Sequence, residues 1–510
     1  MLSTTVSSLS SALVALCVWL IYLNSKRRGK LPPGPKGYPL VGNIFELDLK
    51  RPWHTFVEWK KTYGDIVHFR LFNQDVILLN SAKVAGDLLD RRAANYSQRY
   101  RMTVTEYLTG GLDIVFMNPG LTWRSMRRAA HEALNVRASM SYYPIQMHEG
   151  IRLAMNMLDS PEKYQDHTSK FASQGVAYVV YNDPSCGNTI EFVMEYIDII
   201  LNSSLPGNYL ANLIPSLRHA PDFLAKWKRE AKERHRVTSE KFLSYFLPIK
   251  EAVLRGQETG TSFCSMLVES HERHGLNDLE SAWLAAMVLL AGIETTMTTL
   301  GWMILAMITF PEVQRKAQEE LDRVVGRTRI PTLNDMENLP YMRALVKEAL
   351  RWRPAPPMGV FHMSLEDDIY EGYHISKGSL VIPNILAMNH DMMTYGPNPD
   401  EFRPERFLND DGTHKESPPD TKDEGHYTFG FGHRICPGRH LATNALFTFA
   451  IVLWAMHLEP GKDAQGNETV LSTDDETSGI ISRAPSYSIS SKPRFPGALE
   501  ILRSAKEDWP

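Results

Sequence analysis

The chain has 510 residues, 43% of them hydrophobic, and a formal net charge of -4. That length and apolar content suffice for a large core, and the near-neutral charge gives no reason to expect a nucleic acid or an acidic polymer as partner. Its four cysteines, Cys17, Cys186, Cys264 and Cys436, are too scattered for a disulfide scaffold or a zinc site and suit a reducing compartment.

Residues 12–23 are uncharged and apolar, and with the Ser/Thr-rich residues before them the uncharged stretch reaches about 20 residues, near the span of a bilayer. Lys26, Arg27, Arg28 and Lys30 follow this stretch rather than precede it. The flanks therefore predict a single membrane anchor with the bulk of the chain on the cytosolic side, not a cleaved signal peptide. Leu31-Pro32-Pro33-Gly34-Pro35 predicts a stiff, extended connector. Residues 66–71 and 76–80, around Asn73-Gln74-Asp75, read as a β-hairpin.

Trp123 and Arg127 lie four apart at the start of an amphipathic helix, and both can donate hydrogen bonds to an anion. From 151 to 255 helical patterns alternate with loops, and residues 226–236, dense in both signs of charge, read as a solvated helix face. Asn277-Asp278 caps a helix that runs to Phe310, where Pro311 stops it. At roughly 33 residues and about 50 Å, this helix must cross the centre of the domain. Within it, Ala291-Gly292-Ile293-Glu294-Thr295-Thr296 places a carboxylate and hydroxyls on an otherwise apolar element. Buried polar groups there need a reason, the ordinary one being hydroxyls that bond back to their own helix carbonyls.

A helix over residues 341–353 carries Glu348 and Arg351, three apart on one face. The prolines of residues 354–357 force an extended path toward His362, and residues 409–426 read as an exposed loop. That loop leads to Phe429-Gly430-Phe431-Gly432-His433-Arg434-Ile435-Cys436-Pro437-Gly438, ahead of an apolar helix predicted over residues 439–457. The glycines let the backbone approach a bulky group, and Pro437 suits the first helical turn. Amides at the amino end of the helix favour a thiolate at Cys436, and a thiolate beside Arg434 suits haem iron with a propionate on the guanidinium. The alternative is an ordinary buried cysteine.

Phe429, Gly432, Arg434, Cys436 and Gly438 fill the fixed positions of Phe-x-x-Gly-x-Arg-x-Cys-x-Gly. At these residues the chain resembles the cytochrome P-450 superfamily, and its style is similar to fungal microsomal members. The resemblance implies a mainly α fold with a smaller β region (α+β) behind an N-terminal single transmembrane anchor. Residues 1–25 would be the anchor, 26–40 a basic and proline-rich hinge, and 41–510 the haem-thiolate catalytic domain. It implies haem b with Cys436 as axial ligand, propionates met by Arg434, Trp123, Arg127 and His362, and cofactor contacts from Phe429, Gly432 and Gly438. Thr295 would relay protons to oxygen, Glu294 would supply them, and Gly292 would leave room above the haem. Arg406, in Pro404-Glu405-Arg406-Phe407, would join Glu348 and Arg351 in a network that holds the Cys436 loop.

The implied activity is insertion of one oxygen atom from O2 into a lipophilic small molecule, by hydroxylation or epoxidation, in secondary metabolism such as terpenoid biosynthesis. The expected pocket segments, residues 101–117, 205–221, 288–292, 356–361 and 478–485, are mostly apolar. No dinucleotide fingerprint is present, so electrons from NADPH would arrive through a separate NADPH-cytochrome reductase, docked near Arg124, Arg128, Arg439 and His440. The expected location is the endoplasmic reticulum membrane, single-pass, with the catalytic domain on the cytosolic face. The sequons at Asn95, Asn202 and Asn467 would then go unused. The alternatives are a haem-thiolate isomerase or dehydratase that needs no reductase and a non-enzymatic haem-binding protein. An intact Glu294-Thr295 pair counts against both.

Overall fold

Helix α1 (Pro52–Tyr63) packs on a four-stranded sheet made of β1 (Ile66–Leu71), β2 (Gln74–Leu79), β3 (His362–Met363) and β4 (Leu380–Pro383), in the order β1-β2-β4-β3. These elements come from a computed structural model that describes residues 29–183, 190–204, 209–213, 215–462, 466–477 and 479–508. The expected anchor at residues 12–23, Lys26, Arg27, Arg28, residues 205–208 and Ser478 lie outside the described residues. The hairpin forms as expected, but its turn is Phe72-Asn73, because Leu71 pairs with Gln74. Gln74 and Asp75 sit inside the strand, where Asp75 meets His68 at 3.1 Å and Gln74 donates to the Gly378 carbonyl. The proline connector lies against this sheet: the His68 amide donates to Pro33 O at 2.8 Å. A Cβ on Gly34 would sit 1.8 Å from His68 O, so only glycine allows the chain to lie so close.

The helices that frame the site are α2 (Leu121–Leu134), α3 (Tyr143–Asp159), α4 (Tyr164–Tyr181), α5 (Lys226–Leu254), α6 (Asp278–Thr309), α7 (Pro340–Trp352), α8 (Arg439–Phe447) and α9 (Phe449–Ala455). Helix α6 starts where the sequence predicts. Asn277 accepts from the Glu280 amide, and the Glu280 carboxylate accepts from the Asn277 amide, which satisfies two of the free N–H groups at that end. By length and composition α6 could cross a membrane. Apolar all round, it is instead the axis of the core. Its amino half, Ala282 through Ile293, belongs to a cluster with α2, α4 and α5. Its carboxyl half, Leu300 through Ile308, belongs to another with α3, α7 and α9.

The charged stretch at the start of α5 behaves as a solvated face, with Arg236 paired to Glu233 and Glu240 on the exposed side. The single helix expected over residues 439–457 is divided at Thr448, whose hydroxyl donates to Ala445 O at 2.7 Å, and a strand begins at Met456. The Asn95 side chain accepts from the Leu365 and Glu366 amides at 3.0 and 2.8 Å, so this sequon asparagine is part of the fold.

Candidate active site

The Cys436 loop is shaped from below by its neighbours. The Cys436 amide donates to Phe429 O at 2.9 Å and the Gly430 amide to Tyr427 O at 3.0 Å. Phe431, buried, stacks on Tyr427 with 5.9 Å between ring centroids. Gly432 adopts φ +53°, its amide donates to Asp90 Oδ1, and a Cβ there would lie 2.0 Å from Leu89 O. It therefore fixes the loop rather than lining the space above it. Helix α8 begins at Arg439 with Gly438 as N-cap, so Pro437 precedes the cap instead of opening the helix.

Three buried side chains hold the loop from the α7 side. The Arg351 guanidinium donates to both Glu348 oxygens at 2.6 and 2.8 Å, and Arg406 Nε donates to Glu348 Oε1 at 3.3 Å. Arg351 also donates to Asn389 O at 2.9 Å. The Asn389 side chain accepts from the Tyr427 amide and donates to Thr428 Oγ1, each at 2.9 Å. The network that the family resemblance implied for Glu348, Arg351 and Arg406 is present, and Asn389 carries it to the residues just before Phe429.

Above the loop lies a cavity of about 310 Å³. Cys436, Phe429, Gly430 and Gly438 form its floor, with Val288, Ala291, Gly292 and Thr295 of α6 on the opposite wall. Cβ atoms on Gly430 or Gly438 would meet no protein atom within 4 Å, so both glycines leave the floor flat. Burial pushes the Cys436 thiol up, against the Gly438 amide, Arg127 and Arg439. The helix end therefore does not suffice alone to make the thiolate, and a metal cation on the sulfur would reverse the balance.

One rim of the cavity is crowded with cations. Arg434 donates to Ser97 O at 3.0 Å and Met117 O at 2.7 Å, and its guanidinium lies 4.3 Å from the centre of the Trp123 ring. Arg127 donates to Ile435 O at 2.7 Å, and Arg99 donates to the carbonyls of Val360 and Phe361 at 2.7 and 2.8 Å. Burial, then Arg127, lowers the Arg434 guanidinium to about 9. Arg99 is driven down by burial, Arg434 and Arg127, with Asp113 opposing. The buried Trp123 N–H meets no acceptor among the described residues. Three guanidiniums and an unpartnered N–H, over a flat floor with a cysteine, fit a haem carrying two propionates.

His362 lines the same cavity, and its Nδ1 donates to Tyr96 O at 2.7 Å. Burial and the nearby Arg99 hold it neutral, so Nε2 is an acceptor and a carboxylate there requires its protonation. Trp123 stands behind Arg434 rather than on the wall. Arg99 was not singled out in the sequence, where a lone arginine in Gln98-Arg99-Tyr100 carries no spacing signal.

On α6, Thr295 Oγ1 faces the cavity and donates to Ala291 O at 2.7 Å. Gly292 makes less room than expected, because a Cβ there would meet Val176 of α4 at 3.0 Å; the glycine serves close helix packing. Glu294 does not line the cavity and pairs with Arg483 at 2.7 Å. Burial raises its carboxyl while Arg483 opposes. Three of the expected pocket segments reach the wall, through Ile114 and Val115, through Val288, Ala291 and Gly292, and through Pro356, Gly359 and Val360. The described parts of residues 205–221 and 478–485 do not, although the Ser482 amide donates to the wall residue Ala355 at 2.8 Å.

Of the four residues expected to meet a partner, Arg124 and Arg128 are exposed. Arg439 instead pairs with Glu424 at 3.2 Å, and burial lowers His440 to about 4, leaving it neutral. His426, its ring tilted against that of Phe429 with 5.2 Å between centroids, is lowered by burial to about 3. Below the ordinary histidine pKa, near 6.5, the unfolded chain takes up a proton that folded His426 refuses, so stability falls as pH drops. Urea unfolding should show wild type losing about 2 kcal/mol more than His426→Asn between pH 7 and 5. Equal losses would mean that His426 is not held neutral.

A sequence profile of the family described as Cytochrome P450 matches residues 32–465. The chain belongs to the cytochrome P450 family. It is 42% identical to a cytochrome P450 monooxygenase of Armillaria gallica, over 98% of this chain and 96% of that protein. It is 41% identical to cytochrome P450 monooxygenase 58 of Postia placenta, over 97% and 96%. This P450 is accordingly a monooxygenase of a group found in fungi, and its family implies haem with thiolate ligation and electrons from a redox partner.

Proposed function

We propose that this P450 inserts one oxygen atom from O2 into a lipophilic molecule, such as a terpenoid, in secondary metabolism. The observation that carries the reading is the cavity itself, with a cysteine on its floor, cations on one rim and a mostly apolar wall that carries the Thr295 hydroxyl. Cys436 Sγ would hold the haem iron, and Arg99, Arg127 and Arg434, with the Trp123 N–H behind them, would take the propionates. Bound there, haem supplies the oxygen-activating chemistry. Val288, Val176, Ile114 and Val360 exclude water and give an apolar substrate its seat. Thr295 Oγ1, on a helix face open to the cavity, passes protons inward, and Glu294 supplies them.

Electrons would come from NADPH through a separate reductase. The apolar residues 12–23 would anchor the chain in the endoplasmic reticulum membrane with the catalytic domain on the cytosolic face.

The test is the difference spectrum of the reduced, carbon monoxide-bound protein. A strongly red-shifted Soret band is expected, and it should vanish in Cys436→Ser. A conventional haem spectrum in the wild type would overturn the thiolate assignment and the monooxygenase mechanism with it.

A further inference from the structure

Glu294 is the buried titratable group whose surroundings the site described above leaves unexplained. It is 3% exposed, yet it contributes nothing to the cavity wall that its neighbour Thr295 lines. Its Oε1 accepts from Arg483 Nε at 2.7 Å, and its Oε2 meets no partner among the described residues. Arg483 comes from the C-terminal segment, 189 positions away, and its side chain is 34% exposed, so the guanidinium touches both the buried acid and solvent.

The backbone that presents Arg483 is tied on both sides. The Arg483 amide donates to Thr477 Oγ1 and the Thr477 amide to Arg483 O, each at 3.0 Å. Next to it, Ser482 donates its amide to Ala355 O and accepts from Trp302 Nε1 at 3.0 Å. Trp302 lies two turns along α6 from Glu294, so one helix carries the acid and also anchors the loop that presents its partner. Asp198, the other charge that bears on Glu294, repels it and cannot substitute for Arg483.

We propose that Arg483 is a positioning residue for Glu294: it holds the carboxylate out of the cavity wall and against a solvent-touching guanidinium, so that protons bound for Thr295 enter the site through this pair. The inference rests on the reading of Glu294 as proton supplier. In each passage one proton leaves the Glu294 carboxyl toward the Thr295 hydroxyl, and the carboxylate takes one back from water on the Arg483 side. Arg483 stays a cation throughout, and no electron moves.

The experiment uses the full-length holoprotein as wild type, Arg483→Ala, Arg483→Lys and Glu294→Gln, each first shown to unfold at the wild-type temperature. The infrared carboxyl band missing in Glu294→Gln is titrated in the others. Arg483→Ala should raise its midpoint by at least one pH unit, a tenfold gain in proton affinity, and Arg483→Lys should restore most of the difference. An unmoved midpoint overturns the proposal.

The second readout feeds NADPH electrons through a purified reductase, with 7-ethoxycoumarin as probe substrate, and compares peroxide released with product formed. The ratio should rise several-fold in both Arg483→Ala and Glu294→Gln. A rise in Glu294→Gln alone overturns the role of Arg483 and leaves the acid in place. A shifted band with unchanged ratios in both variants overturns proton entry through the pair, and with it the assignment of Glu294.

Discussion

Glu348→Ala is expected to cost the folded protein about 3–5 kcal/mol, because it strands two fully buried guanidiniums. Arg351 and Arg406 both lose their carboxylate in a place where no water can replace it, and the Arg403 amide loses the acceptor it meets at 2.8 Å. Against a typical net stability of about 5–15 kcal/mol, this is enough to unfold a large share of the protein. The damage should reach the cofactor as well. Arg351 holds Asn389, and Asn389 holds Tyr427 and Thr428, so releasing the arginine loosens the chain that leads to Phe429 and Cys436. Urea unfolding of the cofactor-free protein, read beside the haem-to-protein ratio of the loaded form, measures both effects. A variant that unfolds at the wild-type midpoint would show that the triad does not hold the loop.

Gly432→Ala and Gly438→Ala should part company, although both glycines sit in the same ten-residue motif. At Gly432 a Cβ would lie 2.0 Å from the Leu89 carbonyl oxygen, and φ is +53°. The left-handed conformation alone costs an alanine about 1–2 kcal/mol, and the clash is with backbone, so the loop must move and its bond to Asp90 must break. A loss of about 3 kcal/mol or more in the cofactor-free protein is expected. At Gly438 φ is -88° and a Cβ would meet no protein atom. Gly438→Ala should therefore unfold as the wild type does while taking up less haem, because the methyl group projects into the cavity floor. Equal behaviour of the two variants, in thermal unfolding and haem content together, would refute this division.

The contrast shows how much of the site could be read from residues alone. Local spacing located the Cys436 loop, the Glu348–Arg351 pair and the start of the central helix, because each is set within one turn or one cap. What spacing could not supply was direction. Glu294 and Thr295 are consecutive on a helix and so point about 100° apart, and the motif that contains both does not say which of them faces the cavity. Gly292 lines the cavity, but its missing Cβ also lets α6 pack on Val176, from a helix more than 100 residues earlier in the chain. Arg99, Asn389 and Arg483 escaped for a related reason: each is a lone polar residue whose partner is distant in sequence, with no periodic pattern to mark it. The break at Thr448 was hidden because apolar periodicity continues through it.

Helix α6 also determines how the molecule can come apart. Its two halves serve two different cores, so neither core can melt without withdrawing half of the helix that the other needs. Heating the cofactor-free protein should therefore give one cooperative transition rather than two, and a protease cut within α6 should leave no fragment that keeps its fold. The chain's size would allow two independently folding lobes; the shared axis makes it a single cooperative unit.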